Sequence, residues 1–396
     1  MQETIPIMIP ELGEAEASAA RDAILSGWVT QGPRVAAFEK EFAEEVGASH
    51  AVAVSNCTVA LHLALKAVGV GPGDEVITAS HSFIATANAI TYVGATPFFI
   101  DIEPQTYNLD PSKIEEAISE KTSAIMVVHQ VGMPADMEEI LKIAHRHSLP
   151  VIEDAACAVG SEIYWREEWQ RIGRPHGDVA CFSFHPRKLL TTGDGGMLTT
   201  NNEEFAKKFR LWRQHGMSIP DTVRHSSSSV VFEEYVEVAY NYRMTDIQAA
   251  VGREQLKRLE RMVNTRRELA ERYNKELSGI PGLGLPLEPK FARSNYQTYL
   301  VRLPGGIEQR LVMQKLRDRG ISTRRGIMCA HREPAYQAVA WKSAGLVESE
   351  MAQDTALALP LYSSMSVEQQ DRVVQGLKDV LAIQTERTPV NADPIG

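Results

Sequence analysis

The sequence predicts an α/β fold in which a mostly parallel sheet lies between helices. Between about residues 50 and 200, short apolar or β-branched runs alternate with segments of helical periodicity, which is typical of strand–helix–strand units. From residue 281 a segment rich in Pro and Gly precedes a second group of strand and helix signals, which predicts a smaller α+β domain. We therefore predict an N-terminal arm over residues 1–30, a large domain over 31–265, a small C-terminal domain over 266–384 and a tail over 385–396.

Each predicted strand of the large domain is a short run of apolar or β-branched residues. The predicted strands are Ala51–Ser55, Glu75–Ala79, Thr96–Asp101, Ala124–His129, Pro150–Asp154, Val179–Phe184 and Gly196–Thr200. Helices are predicted between them, several beginning after Ser, Asp or Asn or with Pro in the first turn: Thr58–Val68, Ile84–Val93, Pro111–Ile118, Met137–His147 and Glu203–Gln214.

The later part of the chain begins with a helical pattern that runs from Met244 to about Leu277. It predicts one long helix that could bridge the two domains. In the small domain we predict a strand and two helices, over Thr298–Leu303, Arg310–Arg319 and Val367–Leu381.

Composition excludes several classes of function. The chain has 396 residues and a formal net charge of −10, which disfavours partners such as nucleic acid or anionic lipid that recruit clustered Lys and Arg. Its four cysteines are widely spaced and form no metal-binding pattern, so we expect a reducing compartment and no metal. Without a secretory signal pattern or a run of about 18 apolar residues, a cytoplasmic protein that does not span a membrane is expected.

The most informative segment runs from Cys181 to Gly196 and contains Lys188. A predicted strand ends at Phe184, and Pro186 takes the chain out of it, so Lys188 lies just beyond a strand end and before a Gly-rich turn. Open α/β sheets bind ligands at such ends. A single loop lysine is ordinarily a solvated surface charge, so its role depends on its neighbours.

Asp154 ends a strongly apolar strand 34 residues before that lysine. It could simply cap the following helix. The alternative is an ion pair with the protonated pyridine nitrogen of pyridoxal 5′-phosphate (PLP), because a nearby carboxylate raises the pKa of that nitrogen. A protonated ring is the electron sink that stabilises a carbanion.

The segment Ser55–His62 passes directly from a strand into a helix, whose free backbone N–H groups and dipole suit a phosphate. Thr58 and Ser183 add hydroxyl donors. An ordinary helix N-cap remains the alternative. Gly69–Gly73 resembles a dinucleotide loop but follows a helix and precedes a strand, the reverse of the required order, so it is assigned to a turn.

From about Ile9 to about Leu381 the chain resembles the fold-type I, PLP-dependent nucleotide-sugar aminotransferases of the DegT/StrS group. The resemblance is carried by several motifs in the expected order: Trp28–Pro33, Gly71–Ile77, Gly94–Pro97, the Asp154 strand, the Lys188 loop, Tyr240–Met244 and His331–Tyr336. It implies a fold-type I transferase whose large domain binds PLP.

The resemblance also implies roles for individual residues. Lys188 would hold PLP as a Schiff base and act as general base, and Asp154 would pair with the pyridine nitrogen. Phe83 would stack on the ring. The phosphate contacts would be Cys57, Thr58, Ser183 and Asn241, the last from the neighbouring subunit, which implies a homodimer with shared active sites. The substrate-binding candidates are Arg243, His331 and His185.

Cys157 departs from the family pattern, which usually has Gln or His at that position, and a thiol is a poor substitute for either hydrogen-bonding group. The extended segments 164–176 and 214–237 are expected to shape the acceptor pocket.

The predicted reaction is transfer of an amino group from an amino acid, by resemblance L-glutamate, to a keto-sugar linked to a nucleoside diphosphate. The alternatives are the same chemistry on a cyclitol or another small cyclic ketone, and a regulatory protein that holds PLP without turnover. A sugar dehydratase of the same family would carry His in place of Lys188. A nicotinamide oxidoreductase is disfavoured because no GxGxxG motif follows a strand.

Overall fold

A computed structural model describes residues 4–219 and 229–385 of the chain. Most of the predicted tail, from residue 386 onward, and part of the extended segment 214–237 lie outside the described residues. Within them, no helix is both long and apolar enough to cross a membrane, and the cytoplasmic location stays a prediction.

The centre of the molecule is an eight-stranded sheet in the order β1-β9-β8-β5-β4-β2-β3-β13. All neighbouring strands run parallel except β9, which is antiparallel to β1 and β8. The mostly parallel α/β sheet is thus confirmed. The strands are β1 His50–Val54, β2 Glu75–Ala79, β3 Thr96–Ile100, β4 Thr122–Val128, β5 Val151–Asp154, β8 Val179–Ser183, β9 Gly196–Thr200 and β13 Lys342–Ser343.

Helices cover both faces of this sheet, because the strands carry buried side chains on both sides. In the described residues up to Leu277, the α-helices are α1 Glu14–Leu25, α2 Pro33–Val46, α3 Cys57–Ala67, α4 Ala85–Tyr92, α5 Ile114–Ala117, α6 Met137–Arg146, α7 Glu203–Trp212, α8 Asp246–Leu256 and α9 Leu259–Leu277. One face packs on α2, α6 and α8, and the other on α3 and α7.

The prediction of one unbroken helix after Met244 is wrong, because α8 ends at Leu256 and α9 begins at Leu259. Arg258 leaves helical geometry at the break, with φ −110° and ψ 3°. Its guanidinium forms an ion pair with the nearly buried Glu16 of α1, which also accepts a hydrogen bond from Gln255 at 2.9 Å. The break between α8 and α9 therefore coincides with a contact to α1, which the helical periodicity of the sequence does not indicate.

The extended segment after Asp154 forms a β-hairpin of β6 Glu162–Trp165 and β7 Glu168–Arg171. The later strand β10 Ala292–Arg293 pairs with β6 and completes a three-stranded sheet. The two turn residues of the hairpin, Arg166 and Glu167, have φ of 49° and 71°. Positive φ at both central positions is the geometry of a type I′ hairpin turn. Gly or Asn usually occupies these positions, so Arg166 and Glu167 do not indicate a turn by residue type.

A second, three-stranded antiparallel sheet is formed by β11 Tyr299–Arg302, β14 Ala356–Leu359 and β12 Arg324–Arg325. It packs against three later helices, α10 Gln309–Asp318, α11 Val347–Thr355 and α12 Val367–Thr385. Helix α9 contributes Met262 to the core of the large sheet and Tyr273 to the core of the small one. It therefore joins the two cores, while the domain limits themselves stay predictions.

Candidate active site

The candidate site lies where the parallel strands of the large sheet end. Asp154 is the last residue of β5 and pairs with Cys181 of β8. Ser183 ends β8, and Lys188 follows in the next loop, where its backbone N–H donates to the His185 carbonyl at 2.8 Å. The carboxyl ends of parallel strands share one edge of the sheet, so these groups converge there.

Asp154 is buried, with 5% of its surface exposed. Its Oδ2 accepts a hydrogen bond from the Thr86 hydroxyl at 2.8 Å, and its Oδ1 accepts one from the Ala156 N–H at 3.1 Å. Burial raises the pKa of Asp154, and these two donors together with the nearby Lys188 offset part of that rise. A cation placed beside this carboxylate would stabilise its ionised form.

The Lys188 amine points back toward the end of β5, where its Nζ donates to the Cys157 thiol at 3.0 Å. Burial lowers the pKa of Lys188, but interactions with Cys157 and Asp154 outweigh that effect and leave it raised. The amine thus lies close enough to Asp154 to interact electrostatically with it, although the two residues make no direct hydrogen bond in the described structure.

The start of α3 offers a cradle for an anion. Asn56 caps the helix by accepting the Val59 N–H at 3.1 Å. The N–H groups of Cys57 and Thr58 have no acceptor among the residues that the structure describes. Free N–H groups at a helix N-terminus bind phosphate well.

Gly196 brings that helix start beside Ser183. It pairs with Val54 on one side and Ser183 on the other. A Cβ at position 196 would lie 2.5 Å from the Asn56 carbonyl carbon and 2.8 Å from the Cys57 nitrogen. Only glycine therefore allows the helix start to approach this closely, which places the Ser183 strand end next to the free N–H groups.

The candidate stacking residue, Phe83, is 65% exposed. Its carbonyl accepts the N–H of Thr86 at 3.1 Å, the same residue whose hydroxyl donates to Asp154. Thr86 therefore connects the backbone of Phe83 to the buried Asp154 carboxylate. An exposed aromatic ring at the edge of a polar site is available for stacking.

Residues 10–378 match the model of the DegT/DnrJ/EryC1/StrS aminotransferase family. The chain belongs to that family. It is 41% identical to the spore coat polysaccharide biosynthesis protein SpsC of Bacillus subtilis over 382 residues, which cover 95% of this chain and 97% of SpsC.

Solved structures extend the likeness of this aminotransferase to the whole fold. The aminotransferase TlmJ of Streptoalloteichus hindustanus is 35% identical with a TM-score of 0.87, over 96% of this chain and all of TlmJ. The PLP form of Spr1654 from Streptococcus pneumoniae is 27% identical with a TM-score of 0.88, over 96% and 99% of the two chains. The predictions of a fold-type I structure, an aminotransferase and PLP as its cofactor are confirmed.

The residues present in this aminotransferase fit PLP. The free N–H groups at the start of α3 suit its phosphate, the buried Asp154 suits its ring nitrogen, and the Lys188 amine suits its aldehyde.

The remaining predicted residues are not drawn into contact with Lys188 in the described chain. Asn241 is exposed, and its backbone forms an isolated β-bridge with Gln214. The side chain of the half-buried Arg243 has no partner among the described residues. His185 is exposed, and its Nδ1 accepts the Arg187 N–H at 3.1 Å. His331 is held by Ser80 Oγ at 2.7 Å and Glu350 at 3.0 Å.

Thr86, the hydroxyl donor to Asp154 in this aminotransferase, was not predicted from the sequence. A buried network behind the strand was not predicted either. In it, Glu153 accepts hydrogen bonds from the His176 and Gly177 N–H groups and contacts His129 Nε2 at 3.0 Å. Side chains alternate along β5, so Glu153 faces away from the Asp154 site. A charged residue within an apolar strand was the only sequence signal for the network.

Proposed function

We propose that this chain transfers an amino group from an amino acid, L-glutamate, to the ketone carbon of a sugar linked to a nucleoside diphosphate. The observation that carries the proposal is the convergence of the Lys188 amine and the buried Asp154 carboxylate at one sheet edge. A role of the relative SpsC in polysaccharide biosynthesis, stated by its name, supports a sugar as acceptor.

Lys188 is the residue proposed to attach the cofactor and to move the proton. Bound PLP supplies an aldehyde that reacts with amines and a protonated ring that accepts electrons from the reacting carbon. The Lys188 amine ends a flexible side chain anchored by a short loop, so it can take a proton from Cα of the amino acid and deliver it to C4′ of the cofactor. In the described structure its contact with Cys157 keeps it at the inner end of the site.

Asp154 is proposed to hold the pyridine nitrogen in its protonated form. Its position is fixed by Thr86 and by the Ala156 N–H. Because the carboxylate is buried, its attraction for a cation is weakly screened by solvent. The same burial makes the ionised group costly without that cation, which agrees with its raised pKa.

The proposed phosphate contacts are the N–H groups of Cys57 and Thr58 and the hydroxyls of Thr58 and Ser183. Burial raises the pKa of the Cys57 thiol well above its usual value, and Asp154 raises it further. The thiol is therefore neutral and adds no negative charge beside a phosphate. Phe83 supplies the exposed ring for stacking.

A homodimer with shared sites is proposed from the surface around Asn241. The amide is exposed, and the segment before it carries exposed apolar side chains, including Val230, Phe232 and Val238 at 84%, 86% and 93% exposure. Contiguous exposed apolar surface commonly marks a protein interface. Arg243, two residues beyond Asn241, and His331 and His185 are proposed to bind substrate groups, since Arg and His donate hydrogen bonds to anionic and hydroxyl oxygens.

The experiment mixes the purified, PLP-loaded protein with L-glutamate and follows the cofactor absorbance. Loss of the absorbance, and its return on adding a keto-sugar nucleotide, would support the proposal. Cyclitol ketones tested in parallel decide between the two acceptor classes. If no amino acid changes the cofactor absorbance, the chain is a PLP-binding protein without turnover.

The matched variant is Lys188→Ala, which should abolish amine transfer. Borohydride reduction of the wild-type protein should fix the cofactor to Lys188, located by mass spectrometry of its peptides. A reduced adduct on a different lysine would overturn the assignment.

A further inference from the structure

Three arginines meet beside the Lys188 loop. Arg187 immediately precedes Lys188, and Arg324 and Arg325 form the short strand β12 of the small sheet. Together with Gln297 and Ile327 they line a cavity of about 90 Å³. The cavity therefore joins the loop that carries the reactive lysine to the small sheet.

Two of these guanidinium groups have no counter-charge within the part of the chain that the structure describes. Arg325 is neutralised by Glu333, to which its Nη2 donates at 2.9 Å. The guanidinium groups of Arg187 and Arg324 make neither a hydrogen bond nor an ion pair with any residue in 4–219 or 229–385. Arg187 and Arg324 are both exposed residues. Partial burial of the Arg324 guanidinium still lowers its pKa, and the proximity of Arg187 and Arg325 lowers it further. An anion held between them would relieve this repulsion.

The cavity is physically tied to the candidate active site. Gln297 Nε2 donates to the Arg187 carbonyl at 2.9 Å, and its backbone N–H donates to Asn295 at 2.8 Å. Asn295 in turn donates to the carbonyl of Cys157 at 2.9 Å, the residue whose thiol contacts Lys188. The short segment 295–297 thus contacts both Arg187 in the cavity and Cys157 beside the reactive amine.

We propose that Arg187 and Arg324 form a subsite for the anionic group of a substrate, either a carboxylate of the amino-acid donor or the diphosphate of the acceptor. The planar guanidinium fork matches carboxylate and phosphate oxygens in bidentate geometry. The side-chain carboxylate of L-glutamate and the diphosphate of the acceptor each lie several bonds from the carbon that reacts. A substrate reacting at Lys188 can therefore extend that group toward the adjacent cavity.

The subsite rests on the proposed function, since it recognises the substrates of that reaction. It would fix the orientation of the substrate rather than take part in proton transfer. Because donor and acceptor enter in separate half-reactions, a single anion subsite can serve one of them or both in turn.

The first test measures binding directly, with glutarate as the carboxylate probe and inorganic pyrophosphate as the diphosphate probe, titrated calorimetrically into the PLP-loaded protein. Arg187→Gln and Arg324→Gln should each weaken binding of at least one probe about 10- to 100-fold, the usual effect of losing one charged hydrogen-bonding group. Arg310→Gln, at an exposed arginine on α10, is the matched control and should leave both affinities unchanged.

The second test separates the half-reactions. An increased KM for L-glutamate alone identifies the donor carboxylate, and an increased KM for the keto-sugar nucleotide alone identifies the diphosphate, with kcat changed less than KM. Arg324→Lys, which keeps the charge but loses the fork, should lie between Arg324→Gln and the wild type. Cofactor absorbance and thermal midpoint confirm that each variant is folded.

Two failures can be told apart. If the wild-type protein does not react with glutamate, the proposed function is wrong. If it reacts normally and both glutamine variants match it in probe affinity and in both KM values, the subsite is wrong while the proposed function stands. Absence of measurable binding of either probe to the wild type would also overturn the subsite.

Discussion

Replacement of Asp154 by Asn should have opposite effects on stability and on activity. The two side chains have nearly the same shape, and the amide oxygen can still accept a hydrogen bond from Ala156 or Thr86. The change removes the charge and turns one of the two acceptor oxygens into an N–H donor. It therefore tests the proposed pairing with the ring nitrogen without opening a cavity.

The stability effect follows from the pKa of Asp154, which burial raises above its value in the unfolded chain. The folded protein without cofactor therefore binds this proton more tightly than the unfolded chain, so the group contributes stability at low pH that is lost as the pH rises through the folded pKa. The uncharged amide avoids that loss. We expect the cofactor-free variant to be at least as stable as the wild type at about pH 7, with a difference that shrinks toward about pH 4.

The activity effect has the opposite sign. Removing one partner of a buried ion pair typically costs about 3–5 kcal/mol, and if that loss falls on the transition state, the rate drops roughly 10²- to 10⁴-fold. Cofactor binding should persist, because the proposed phosphate contacts lie on α3 and β8. The assay combines thermal unfolding of the cofactor-free protein at several pH values with single-turnover absorbance changes in glutamate. Turnover near the wild-type rate would show that Asp154 serves only as a cap for the segment that follows it.

Three further outcomes are expected. Thr86→Val should reduce the single-turnover rate about tenfold or more, because the buried carboxylate loses a hydrogen bond worth about 1.5–3 kcal/mol, whereas Thr86→Ser should restore most of it; equal rates for both variants would contradict the role of the hydroxyl. Gly196→Ala should weaken PLP binding and lower the thermal midpoint, since its Cβ would lie 2.5 Å from backbone at the start of α3, while Gly279→Ala, which meets no atom within 4 Å, should change neither. Protomers carrying Lys188→Ala and Asn241→Ala, refolded together, should form hybrids more active than either parent if Asn241 serves the neighbouring site, and no recovery would place Asn241 in its own subunit.

Much of the local structure could be read from the sequence. The limits of β2 and β9 were predicted without error, because each is a short apolar or β-branched run between turn residues, and such runs fit only a buried strand. The candidate site motifs could be proposed from the sequence because Asp154 ends one strand and Lys188 follows the end of another. In parallel sheets those ends meet at one edge, so their order along the chain already implies proximity.

Other features depend on partners far away in the chain. The break between α8 and α9 accompanies an ion pair with Glu16, more than 200 residues earlier, and the hairpin of β6 and β7 turns at two residues whose types give no turn signal. The parallel pairing of β13 with β3 joins segments about 240 residues apart. Periodicity reports only local preference, so none of these was predicted.

The sequence by itself determined the class of fold, the family and the types of residue available for catalysis. The tertiary structure decided which of them meet. It brought the Cys157 thiol into hydrogen-bond contact with the Lys188 amine, Thr86 into contact with Asp154, and Arg324 close to Arg187. The physical reason is that residue type and periodicity fix secondary structure within a few residues, whereas contacts between side chains depend on strand order and on the packing of segments that are distant in sequence.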